Sequence, residues 1–98
     1  VIAYGSVSRS ARRAVREARQ RGVKCGLVQL ITLWPFPRQM VEPLLGRVRA
    51  VLVPELNMGQ MSREVKRVNQ GATRVETLNR LDGNLITPNE ILTRILRL

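Results

Sequence analysis

Apolar residues recur along this chain in two alternating rhythms: short continuous runs, and stretches in which they return every three or four positions. Residues 1–5, VIAYG, form a short apolar run ending in glycine, the pattern of a buried strand. In SVSRSARRAVREARQRG, Ala11, Ala14, Val15 and Ala18 stand at i, i+3, i+4 and i+7 and line one helical face, with Gly22 as the stop. Ser6 or Ser8 is suited to cap that helix. VKCGLVQLITL is a second apolar run, closed by WPFP, and Cys25 early in it reads as a buried, inert thiol. Pro37 can open the next helix at its first position, while Pro43 inside it predicts a kink or an early end. VRAVLV is a third strand that stops at Pro54, and Met58, Met61, Val65 and Val68 mark the helical face that follows, to Gly71. TRVETLNR alternates and reads as an outer strand; LDGN makes a turn. In TPNE, Thr87 is an N-cap, Pro88 takes N1 and Glu90 takes N3, ahead of the apolar face Ile91, Leu92, Ile95 and Leu96.

Strands alternating with helices across short connections predict one α/β domain over 1–98. The expected form is a three-layer αβα arrangement, with a four-stranded, mainly parallel sheet covered by helices on both faces. Right-handed crossovers lead to strand order 2-1-3-4. In such sheets ligands and partners meet the carboxyl ends of the strands. That edge carries GSVS after the first strand and PELNMGQ after the third.

Composition removes several kinds of chemistry. The chain has no histidine and one cysteine, so it lacks the commonest general base and metal ligand, and the four thiolates of a local iron–sulfur cluster. The single cysteine fits a reducing, cytoplasmic setting, and no apolar run reaches the roughly 18–20 residues that span a bilayer. A start inside an apolar run, without a basic leader, suggests a fragment of a longer polypeptide. Lys and Arg number 17 against 7 Asp and Glu, a formal net charge of +10, which draws attention to anionic partners. Arg9, Arg12, Arg13, Arg16, Arg19 and Arg21 surround the first helix outside its apolar face, with Glu17 placed to pair with Arg13 and Arg21. The aromatics Tyr4, Trp34 and Phe36 are not interleaved with that cluster, which argues against nucleic acid and for a solvated face or an acidic neighbour. A basic module binding nucleic acid or another anion stays open as an alternative.

Three stretches remain as candidate chemistry. GSVS holds one glycine where a dinucleotide fingerprint needs three; helix capping accounts for it, and a small anion on the helix N-terminus is the other reading. LDGN falls short of a metal-diphosphate motif, because Leu81 stands where the first glycine should be. In VPELNMGQ, Asn57 can act as N-cap with Gln60 at N3 in a capping-box variant. Gly59 has no need in that scheme and suggests a close approach to the backbone; Glu55 requires a partner.

Taken in order, VIAYGS, LWPFP, VPELNMGQMSREVKRV and NRLDGNLITPNEIL resemble the alpha subunit of 2-oxoacid:ferredoxin oxidoreductases. The resemblance is to that subunit's second domain, which has the transketolase carboxy-terminal-domain fold. It implies an enzyme that oxidatively decarboxylates a 2-oxoacid to an acyl-CoA and passes electrons to ferredoxin, using thiamine diphosphate, Mg and iron–sulfur clusters. It also implies that this domain supplies no catalytic, cofactor-binding or metal-binding residue. Its role would be to pack against the other domains of its subunit and against a beta subunit, with coenzyme A and ferredoxin as partners of the whole enzyme. Glu55, Asn57, Gly59 and Gln60 match the family's motif and would lie toward that interface. The Arg richness suggests a thermophilic source. The carboxy-terminal domain of another thiamine enzyme, such as a transketolase, is the remaining alternative.

Overall fold

The computed structural model describes residues 1–56, 59–71, 73–80 and 84–98. The expected N-cap Asn57 and the first three residues of the LDGN turn lie outside them. Strands and helices alternate as β1 (Ile2–Tyr4), α1 (Val7–Gln20), β2 (Val28–Leu30), α2 (Arg38–Leu45), β3 (Ala50–Glu55), α3 (Gln60–Val68), β4 (Arg74–Asn79) and α4 (Pro88–Leu96).

Side-chain parity along the strands divides the core into two. Ala3 and Leu52 face α1 and α4, burying Ala11, Ala14, Ala18, Ile91 and Ile95 with them. Ile2, Leu30, Val51 and Val53 point the other way, against Val41 and Leu45 of α2 and Met61, Val65 and Val68 of α3. Helices thus cover both faces, as the near-continuous apolar strands require. The small alanines of α1 have no exposed surface, and only residues of that size let a helix lie close on its neighbours.

The sheet differs from expectation. β1 pairs in parallel with β2, with Ile2 opposite Val28, and β3 pairs in parallel with β4, with Glu55 opposite Asn79. The expected four-stranded sheet is therefore observed as two two-stranded sheets, although β1 lies against β3. The Arg49 and Glu55 carbonyls accept from the N–H groups of Arg74 and Arg80, so odd-numbered residues of β3 bond toward β4. The backbone groups of Ala50, Leu52 and Pro54 then point toward the opposite edge, which is not paired and where Pro54 has no N–H to give. β1, at three residues, is too short to compensate.

Local boundaries shift for identifiable reasons. β3 does not stop at Pro54 but runs through it to Glu55, because the missing N–H lies on the edge away from β4. β2 is confined to Val28–Leu30; Cys25 sits before it, half-buried, with its thiol 3.8 Å from the Val15 carbonyl, rather than inside a strand. Pro37 is the N-cap of α2 rather than its first residue. Pro43 is accommodated within that helix, which ends two residues later at Leu45. α4 starts as its sequence requires: the Thr87 hydroxyl accepts from the Glu90 N–H at 3.1 Å, and the Glu90 carboxylate accepts from the Thr87 N–H at 3.4 Å.

Candidate functional site

Because β3 continues through Pro54, its alternation places Glu55 on the same face as Val51 and Val53, beneath the start of α3. The same parity on β1 sends Tyr4 to that face. The two side chains meet: the Tyr4 hydroxyl donates to Glu55 Oε1 at 2.9 Å. Two backbone donors of α3 complete the enclosure, Met61 N–H to Oε1 at 2.7 Å and Ser62 N–H to Oε2 at 3.0 Å. Glu55 is 0% exposed. A buried carboxylate is stable only when its oxygens are satisfied by donors, and here three of them converge on it.

This arrangement corrects the capping scheme expected from sequence. The N-cap position of α3 is Gly59, and Gln60 is the first helical residue rather than the third. Glu55 does what an N-cap side chain ordinarily does, taking two of the N–H groups that a helix start leaves without partners. Its negative charge also lies at the positive end of the helix dipole.

Gly59 is there because the chain must turn sharply over this carboxylate. Its φ of 92° is in the left-handed region that glycine tolerates and side chains resist. A Cβ at Gly59 would stand 2.9 Å from Ser62 Oγ, 3.5 Å from Asn79 Nδ2 and 3.9 Å from Glu55 Oε2. Ser62 Oγ in turn donates to the Gly59 carbonyl at 2.9 Å. The close backbone approach expected at Gly59 is thus real, and it is made by residues of this chain.

Of the four motif residues, Glu55 and Gly59 are brought together in the interior, Gln60 is exposed at the surface, and Asn57 lies outside the described residues. Sequence reasoning missed Tyr4, Ser62 and Asn79. Tyr4 carried a usable signal, since a phenol at the end of a buried strand needs a partner for its hydroxyl.

The other sheet-edge motif, GSVS, is also not capped as expected. Ser6 is the N-cap of α1, but its φ and ψ of −64° and −26° are already helical, and its side chain makes no cap hydrogen bond. A capping side chain reaches the helix from extended backbone, as Thr87 does at φ −82° and ψ 156°. Ser8 lies within the helix and is buried.

Around this edge the surface is apolar at several points. Ile31, Trp34, Leu56 and Leu85 all follow the carboxyl ends of strands and are exposed, Ile31 by 82% and Trp34 by 64%. Among the described residues, nothing is arranged as a thiamine diphosphate–magnesium or iron–sulfur site would need. Both oxygens of the buried Glu55 carboxylate are taken by internal donors, and among the described residues no three His, Cys, Asp or Glu side chains gather to hold a metal.

Residues 1–91 match the family described as pyruvate:ferredoxin oxidoreductase core domain II. The chain is 44% identical over its full length to the 2-oxoglutarate synthase subunit KorA of Methanothermobacter thermautotrophicus, of which it covers 26%. It is 43% identical over 98% of its length to the KorA subunit of Methanothermobacter marburgensis, covering 26% of that protein. The ketoisovalerate oxidoreductase subunit VorB of Methanothermobacter thermautotrophicus is 42% identical over 97% of the chain, which covers 27% of it. No solved structure gives a significant match. The chain spans about a quarter of the length of the curated relatives it matches, and by these likenesses it belongs to the pyruvate:ferredoxin oxidoreductase core domain II family.

Proposed function

We propose that this chain is the structural second domain of the alpha subunit of a 2-oxoacid:ferredoxin oxidoreductase. The complete enzyme would decarboxylate a 2-oxoacid oxidatively to its acyl-CoA and reduce ferredoxin. The reading rests chiefly on the 44% identity to a 2-oxoglutarate synthase subunit across the whole chain. Thiamine diphosphate, Mg and iron–sulfur clusters would be held by other domains and subunits, in keeping with a chain that has no histidine and one cysteine. The enzyme would be cytoplasmic and from a thermophilic source.

The domain's contribution would be made at the carboxyl edge of its strands. Ile31, Trp34, Leu56 and Leu85 offer exposed apolar area there, and such patches mark contact surfaces. The neighbours would be the remaining domains of the alpha subunit and a beta subunit. The motif Glu55, Asn57, Gly59 and Gln60 would belong to that contact: Gln60 is exposed and would face the neighbour, with the buried Glu55 and Gly59 supporting the start of α3 beneath it. Within the assembled subunit the four strands would form one sheet in the order 2-1-3-4, for which the contact of β1 with β3 is the support.

The complete alpha subunit, combined with its beta partner and loaded with cofactors, should reduce ferredoxin in the presence of coenzyme A and a 2-oxoacid. A panel of 2-oxoacids that includes 2-oxoglutarate and 2-oxoisovalerate tests this. Failure to reduce any acceptor with every member would refute the assignment.

A further inference from the structure

We propose that the cleft at the start of α1 binds the phosphate group of a small ligand. The cleft encloses about 420 Å³. Gly5, Ser8, Arg9, Arg12, Gln29 and Leu85 line it. Two independent features point to an anion there. The first is the helix itself: α1 runs for 14 residues, carries no acidic residue in its first turn, and opens without a side-chain cap at Ser6. The positive end of its dipole therefore stands at the cleft without a compensating negative charge from that turn, although the Ser8 N–H is itself given to the Gly5 carbonyl at 3.1 Å.

The second feature is Ser8. Only 3% of this residue is exposed, and its hydroxyl is the one buried side-chain polar atom without a hydrogen-bond partner among the described residues. A buried hydroxyl with no partner is a cost that folding ordinarily avoids, and a ligand oxygen would remove it. Basic side chains stand on the same wall. Arg12 Nη2 donates to Gln29 Oε1 at 2.8 Å, which holds the guanidinium beside the cleft, and Arg9 lies one residue beyond Ser8. Gly5, at φ 61°, would put no side-chain atom against any neighbour even with a Cβ, so the approach to the helix start is open.

Two guanidinium groups, a helix N-terminus and a hydroxyl donor, with no acidic residue among the described lining residues, suit a doubly charged tetrahedral anion better than a single carboxylate. Leu85 adds an apolar wall beside the anion position. The inference does not depend on the oxidoreductase reading, since it uses only this chain's own cleft.

Calorimetric titration of the complete protein with inorganic phosphate, at ionic strength held constant with KCl, tests the site. Saturable binding is expected, weakened at least about fivefold by Ser8→Ala and about tenfold by Arg12→Gln, roughly the loss of one neutral and one charged hydrogen bond. Ser8→Ala should at the same time raise the melting temperature, because it removes the unpaired hydroxyl and favours the helix. A parallel titration with phenyl phosphate separates the sources: tighter binding than inorganic phosphate indicates an organic phosphate resting on Leu85, and equal binding indicates free phosphate. Absence of saturable binding, or wild-type affinity in both variants, would overturn the proposal.

Discussion

Replacing Glu55 by Gln tests the carboxylate that joins β1, β3 and α3. The substitution keeps the shape of the side chain but turns one acceptor oxygen into a donor. If the amide nitrogen takes the Oε2 position, it meets the Ser62 N–H that now lies 3.0 Å from that oxygen. If it takes the Oε1 position, it meets both the Tyr4 hydroxyl and the Met61 N–H. The first orientation is the less costly, since it strands one backbone donor and leaves two bonds to a neutral oxygen. A buried donor left without a partner costs about 1–3 kcal/mol, and the remaining bonds lose about 1 kcal/mol in strength when the acceptor is no longer charged. Loss of the charge at the helix start adds roughly 0.3–1 kcal/mol. Relief from burying a charge acts in the opposite direction and offsets part of the sum. The expected net loss is about 2–4 kcal/mol, or a melting temperature lower by roughly 10–25 °C for a unit of this size. Urea unfolding followed by circular dichroism reads it directly. Tyr4→Phe should cost only about 1 kcal/mol, because Oε1 keeps the Met61 donor. Unfolding of Glu55→Gln within about 0.5 kcal/mol of wild type, the range of an ordinary surface substitution, would refute the idea that this carboxylate holds the three elements together.

Gly59→Ala should destabilise the fold by about 1–3 kcal/mol through its left-handed backbone and its contact with Ser62 Oγ, with part of the loss recovered in a Gly59→Ala/Ser62→Ala double variant; urea midpoints measure both. Thr87→Ala should cost about 1 kcal/mol, as loss of an N-cap does, read in the same assay. Glu90 is desolvated in a way that acts upward, yet the Arg80 guanidinium and the Thr87 N–H and hydroxyl outweigh this and hold its carboxyl below the ordinary 4.5. A carboxyl depressed by folding stabilises above its unfolded value, so this contribution should be intact at neutral pH and disappear as pH falls below about 4.5. Urea midpoints taken along that descent should fall less steeply in Glu90→Gln than in wild type.

What could be read from sequence and what could not divides along local and long-range lines. The alternation of elements, the alanine face of α1 and the Thr87 capping box depend on residues within a turn or two of each other, and each is observed. The start of α3 is not legible in sequence because its cap comes from Glu55, outside the helix, while its N-cap residue has no side chain at all. Tyr4 and Glu55 are separated by 51 positions, and only the packing of β1 against β3 brings them together. Pro54 looks like a stop in sequence because proline loses a ladder donor, and it is tolerated because that donor would have faced away from β4. The same missing donor helps explain why the ladder between β1 and β3 is not formed. Family likeness could place Glu55 and Gly59 in a motif, but not show that the two are buried against each other.

On the proposed function, this domain would help build the enzyme through the apolar edge that Ile31 and Trp34 expose, with the chemistry done elsewhere. The most direct measurement is the turnover of ferredoxin reduction per assembled complex in the double variant Ile31→Glu/Trp34→Glu, with assembly quantified by native mass spectrometry. A smaller assembled fraction with unchanged turnover in the complexes that do form is expected; full assembly with lost turnover would mean that this edge serves the chemistry rather than the assembly.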